Sequence, residues 1–188
     1  MAGCNAFGKD GETVKEIFSE ISKRNLEALK IISGIEFEEL RIGINKNYPA
    51  SYLVGSCRGI LRSPAENGYG LALVQLKSNT AIYVSVLKGD TESFSFQNLS
   101  FFNIAFSQSG NIIGRGIEVA CESWASLMEI DRDCKKNVKG IVRGSTLMPE
   151  TRLDSICGTS NEGDMEFLCF QYDPSRRRFV EIGGWYNE

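Results

Sequence analysis

The sequence predicts an α+β protein, an N-terminal amphipathic helix packed on a mostly antiparallel β-sheet that forms a barrel or a sandwich. Three observations predict it. Apolar residues between positions 12 and 33 recur at helical spacing. Beyond position 50 the pattern changes to short apolar or alternating runs punctuated by Gly, Asn, Asp and Pro. These runs follow one another without the helical crossovers that parallel pairing requires.

The helix is expected over Glu12–Ser33. Val14, Ile17, Phe18, Ile21, Ala28, Leu29 and Ile32 fall on one face about 120° wide. Gly34 stands where a left-handed C-terminal cap is usual. The following stretch, 35–46, reads two ways. Ile35 and Phe37 alternate with Glu36 and Glu38 as in a strand, but Leu40, Ile42 and Ile44 continue on the opposite parity. A bulged strand and a second short helix both satisfy that pattern. Asn47-Tyr48-Pro49 ends it.

The β body begins with Tyr52–Leu61. Tyr69–Lys77 and Thr80–Leu87 form the clearest hairpin, with Ser78-Asn79 at its tip. Both arms are apolar on both faces, which places them in the middle of a packed sheet. Further strands are expected at Ser93–Phe96, Phe101–Phe106, Ile112–Val119, Val138–Val142, Leu153–Ile156, Met165–Tyr172 and Arg178–Ile182. Glu122–Ile130 reads as a short helix, with Trp124, Leu127 and Met128 on one face. Residues 1–10 read as a flexible N-terminal segment and 11–188 as a single α+β domain. At 188 residues, one domain buries about 70% of its unfolded surface, enough for a core without staples.

Composition limits the chemistry. The chain has no histidine, which removes Ser-His-Asp and Cys-His catalysis and histidine-bound zinc. A formal charge of −3 argues against nucleic-acid binding, whose affinity comes from Lys and Arg displacing counterions. No run approaches the roughly 20 apolar residues of a membrane helix. No cofactor or metal is expected. Among the six cysteines no two stand at CxxC spacing. Cys121–Cys134 and Cys157–Cys169 suit cross-strand pairs better than metal knuckles. Buried, reduced thiols are the favoured state. Gly110–Gly116 reads as a hairpin or bulge, not a phosphate loop.

Localisation is expected to be cytoplasmic, because the first residues form no intact signal peptide. The alternative is a bacterial envelope lipoprotein. Ala2-Gly3-Cys4 resembles the end of a lipoprotein signal, which makes Cys4 a candidate lipidation site.

Function is expected to be non-catalytic protein binding, of the immunity, inhibitor or adaptor type. An acidic chain suits a basic partner. Two features are candidate binding residues. Arg176, Arg177 and Arg178 follow a turn at Asp173-Pro174, and Trp185 and Tyr186 carry aromatic surface near the C-terminus. One alternative is a carrier of a small apolar ligand, with a cavity inside a helix-covered barrel; its cue is the phenylalanine-rich stretch from Phe94 to Phe106. The other is an enzyme that uses carboxylates or a cofactor in place of histidine.

Overall fold

The computed structural model describes residues 11–99, 105–106, 112–113, 116–129, 151–160 and 165–186. Helix α1 spans Gly11–Ser33 and stops at Gly34, whose φ of +57° provides the left-handed cap that the sequence predicts. A 3-10 turn, Gly34–Glu36, leads into α2, Phe37–Asn47. The ambiguous stretch is therefore helical. Leu40, Gly43 and Ile44 are its buried side, at spacings of three and four.

Four antiparallel strands follow as a meander: β1 (Tyr52–Ser63), β2 (Glu66–Gln75), β3 (Thr80–Leu87) and β4 (Asp90–Asn98). Tyr69 pairs with Val86 and Gln75 with Thr80, so the expected hairpin is present. The β3–β4 turn has positive φ at both Lys88 and Gly89. That conformation matches the right-handed twist of the flanking strands. A two-stranded ladder, β5 (Ala105–Phe106) and β6 (Ile112–Ile113), comes next. The second four-stranded sheet has the order β10-β9-β8-β7. It comprises β7 (Val119–Glu122), β8 (Ser155–Thr159), β9 (Met165–Asp173) and β10 (Arg178–Tyr186), all antiparallel. Residues 124–129 are helical, and Leu127 is buried there. Neither four-stranded sheet closes on itself. Of the strand expected at Phe101–Phe106, residues 101–104 lie outside the described residues, as do the strand expected at Val138–Val142, Cys4 and Cys134.

Strand alternation divides the core into layers. Leu71, Leu73, Ile82, Val84 and Val86 meet Leu29, Leu40 and Ile44 on the helical side. Ala72, Val74, Ala81 and Tyr83 occupy the other face, with Val54, Leu99 and Ile117. Beyond them, Leu61, Ile156, Leu168, Phe170 and Phe179 fill the space toward the second sheet. The Phe94 ring joins the two layers, 5.1 Å from Phe170 and 5.3 Å from Phe179. Each fully buried Leu or Val contributes about 1.5–3 kcal/mol.

The helix does not simply cover one sheet face through all its apolar residues. Its first half sends Phe18 and Ile21 to one cluster and its second half sends Leu29 to the other. Ile32, expected in the core, is exposed. It sits in the last turn, where Leu29 and Ser33 are the buried residues instead.

The expectation of reduced thiols is also corrected. Cys57 on β1 is joined to Cys121 on β7, a disulfide between the two sheets. Cys157 and Cys169 are joined across neighbouring strands β8 and β9, where they are direct register partners. The twelve-residue spacing suits this cross-strand pair, whereas Cys121, spaced for a pair with Cys134, is bonded to Cys57 instead.

β1 is an edge strand, and edge strands expose unpaired backbone groups. Two side chains block it. Ser22 Oγ on α1 accepts the Leu53 N–H at 3.0 Å. Asp154 clasps Ile60 from both sides: Oδ2 accepts the Ile60 N–H at 2.8 Å, and the Asp154 N–H donates to the Ile60 carbonyl at 2.7 Å.

Candidate functional site

The best-formed polar cavity lies where the 3-10 turn and α2 pass over the ends of β1, β2 and the β3–β4 turn. It is a cleft of about 220 Å³. Its helical wall carries Glu36 and Glu39 and its floor carries Leu40 and Tyr69. Arg58, Glu66 and Lys88 form the far side. The positions follow from elementary geometry. Arg58 and Tyr69 are register partners on β1 and β2. Glu36 and Glu39 are three apart and line the same side of the helical segment.

The groups are organised as pairs. The Tyr69 hydroxyl donates to Glu36 Oε2 at 2.7 Å. Burial and this carboxylate push the Tyr69 phenol up to about 12, so at neutral pH it remains a donor. The Arg58 guanidinium lies 5.9 Å from the centre of the Tyr69 ring, within cation–π range. Lys88 Nζ is ion-paired with Glu66. Among the described residues, Glu39 has no hydrogen-bond or ion-pair partner.

A second, shallower groove of about 400 Å³ runs between α1 and the start of β1. Leu26, Phe37 and Tyr52 give it an apolar lining, and Lys23 and Lys30 stand at its rim. The helical layer also displays unusually large apolar side chains. Ile31 is 85% exposed, Ile35 99%, Ile42 59% and Ile32 48%.

Two polar assemblies, one buried and one partly exposed, knit the sheets together and belong to the scaffold. The Tyr83 hydroxyl lies 3.2 Å from the Thr159 carbonyl and 3.1 Å from its Oγ1, which in turn accepts the Glu118 N–H at 2.7 Å. Burial holds the Tyr83 phenol well above its ordinary range. Arg62, with only 10% of its side chain exposed, donates from Nη1 to Asp90 Oδ2 at 2.7 Å. Its neighbour Glu92 accepts the Phe179 N–H at 3.1 Å, so the cluster links β1, β4 and β10.

The arginines and aromatic residues singled out from sequence belong to the second sheet and its β9–β10 turn. Arg176 and Arg177 are exposed in the β9–β10 turn, and exposed Arg178 opens β10 opposite Asp173. Arg176 Nε is 3.5 Å from Asp173 Oδ2. The Asp173 carboxyl is held below its usual range, first by the Ser175 hydroxyl and then by backbone N–H groups. Trp185 and Tyr186 are strand residues, paired with Phe167 and Met165 of β9. Cys4 lies outside the described residues. Arg176, Arg177 and Arg178 do not line the cleft. Sequence reasoning reads the Glu38-Glu39 pair as exposed charge and misses the grouping of Glu36, Glu39, Arg58 and Tyr69, because only the laying of α2 across the sheet unites them. The available signal was the Glu36–Glu38–Glu39 run beside unpatterned isoleucines.

No protein-family model, curated protein or solved structure matches the chain. Among the described residues no helix is long and apolar enough to cross a membrane, and no group of three or more acidic or cysteine side chains is arranged to hold a metal ion.

Proposed function

We propose that the chain is a non-catalytic protein-binding module whose docking face is the helical layer. One observation carries this reading: Ile31, Ile32, Ile35 and Ile42, four large apolar side chains within twelve residues, face solvent. Single exposed apolar residues are ordinary, but a local concentration marks an interaction surface. These residues are not needed for the core, which Leu29, Leu40 and Ile44 already supply from the same helices.

Two further observations favour binding over the alternatives. Side chains occupy the space between the sheets, where the Phe94 ring contacts those of Phe170 and Phe179. A carrier would need that space for its cargo. In the polar cleft, Tyr69 is moved away from neutrality, whereas a catalytic acid or base is tuned toward it. The two disulfides support an oxidising compartment and hence an envelope or secreted location.

The test is site-specific photo-crosslinking in the cells that make the protein. A photoreactive residue replaces Ile35 or Ile42, and a control replaces exposed Lys77 on the β2–β3 turn. The expected result is a discrete adduct from positions 35 and 42, absent from position 77 and abolished by I31D. Adducts that are equal at all three positions, or absent from all, overturn the reading.

A further inference from the structure

Resting on that docking face, we propose that its partner inserts one basic side chain, a lysine or arginine flanked by apolar residues, into the Glu36–Glu39–Tyr69 cleft. The argument begins with spacing. Ile35, Glu39 and Ile42 are separated by four and three positions, so they line one flank of the helical segment. Glu39 therefore belongs both to the apolar stripe and to the cleft wall. A segment lying along Ile35 and Ile42 passes directly over the cleft mouth.

Charge selects what enters. The cleft holds three carboxylates, Glu36, Glu39 and Glu66, and two cations, Arg58 and Lys88. Lys88 is consumed by Glu66, and Arg58 is placed over the Tyr69 ring. Glu36 is fixed in position by the Tyr69 hydroxyl through one oxygen. Its other oxygen and the whole Glu39 carboxylate remain for a ligand. The residual charge is −1, which one monovalent cation neutralises. An anion would meet two carboxylates on the helical wall, with Lys88 already paired to Glu66 and Arg58 lying against the Tyr69 ring.

Size and lining agree. A volume of about 220 Å³ admits a long side chain but not a folded segment. Leu40 on the floor offers apolar contact to the methylene stem, while the charged head reaches the carboxylates. A charge buried this way fixes register and specificity as well as affinity.

The experiment selects twelve-residue peptides from a random displayed library against the full chain, then synthesises the best binder. The expected binder has Lys or Arg at one fixed position between aliphatic residues. E39Q weakens it about tenfold, and so does E36Q, which keeps an acceptor for Tyr69. Replacing the peptide's basic residue by norleucine gives a similar loss, and combining that change with E39Q gives little more. I42D removes binding of any such peptide, with the fold checked by circular dichroism. Apolar binders that lack a fixed basic residue and tolerate E39Q overturn the cleft assignment and leave the docking face standing. Binders indifferent to I42D, or a library that yields none, overturn both.

Discussion

The ring of Tyr83 occupies the space that a side chain at Gly158 would need. A Cβ built on Gly158 would lie 2.5 Å from Tyr83 Cε1 and 2.9 Å from Cδ1 and Cζ. The first sheet thus seats its largest fully buried side chain on bare backbone of the second. Gly158→Ala is expected to cost about 1–3 kcal/mol, as overpacking does. Tyr83→Phe removes only the contact to Thr159 and should cost about 1 kcal/mol. Urea unfolding of the two variants measures both. Equal midpoints for wild type and Gly158→Ala would show that the ring moves aside freely.

The Cys57–Cys121 bridge closes a loop across 64 positions and the Cys157–Cys169 bridge one across 12. Loop-closure entropy then predicts losses of about 4 kcal/mol for the double variant C57A/C121A and about 3 kcal/mol for C157A/C169A. Denaturant midpoints give the ranking. Peptide mapping without reductant gives the pairing, and any other connectivity would refute it.

Asp154 is expected to matter more than its surface position suggests. Asp154→Ala removes the acceptor for the Ile60 N–H and uncovers a stretch of edge strand. The loss of a hydrogen bond to a charged group is worth roughly 1.5–3 kcal/mol. Asp154→Asn keeps an acceptor oxygen and should lose less. Amide exchange at Ile60 reports the clasp directly: it should accelerate in Asp154→Ala and stay near wild type in Asp154→Asn.

The burial of Tyr69, together with its bond to Glu36, makes stability fall at high pH. A free tyrosine titrates near 10, and Tyr69 in the folded chain is raised to about 12. Below pH 10 the phenol is protonated in both states, and its bond contributes fully. As pH rises from 10 to 12 the unfolded chain releases its proton first, so stability is lost. Tyr69→Phe should show a shallower decline over that window. Absorbance at the tyrosinate band should show the late-titrating group missing from Tyr69→Phe, and an unchanged titration would refute the assignment.

Much of the fold is legible because local rules and tertiary demands agree there. Gly34 caps α1 where the apolar stripe stops, and the two-sided apolar pattern of Tyr69–Leu87 marks inner strands. Helix α2 was ambiguous for a physical reason. Ile35 and Ile42 point to solvent, so they add apolar positions that core packing does not require and imitate a strand. The residues that hid the helix are the ones that suggest a docking face. The inter-sheet disulfide was illegible because Cys57 and Cys121 sit on strands of different sheets, where no spacing rule applies. The cleft was illegible because its members come from five elements, the 3-10 turn, α2, β1, β2 and the β3–β4 turn, and their meeting depends on how α2 lies.

The contacts between the two halves of the chain have a temporal consequence. Residues 11–99 form helices and a meander of short connections, so their partners become available as synthesis proceeds. Asp154, by contrast, meets Ile60 across 94 positions, and Phe179 meets Glu92 across 87. A chain delivered from its N-terminus assembles the meander first. At that stage the edge of β1 has Ser22 but not Asp154, and Cys57 is an unmatched thiol beside it. The half-made protein is therefore briefly adhesive, and an oxidant that acts before Cys121 arrives will capture Cys57 with the wrong mate.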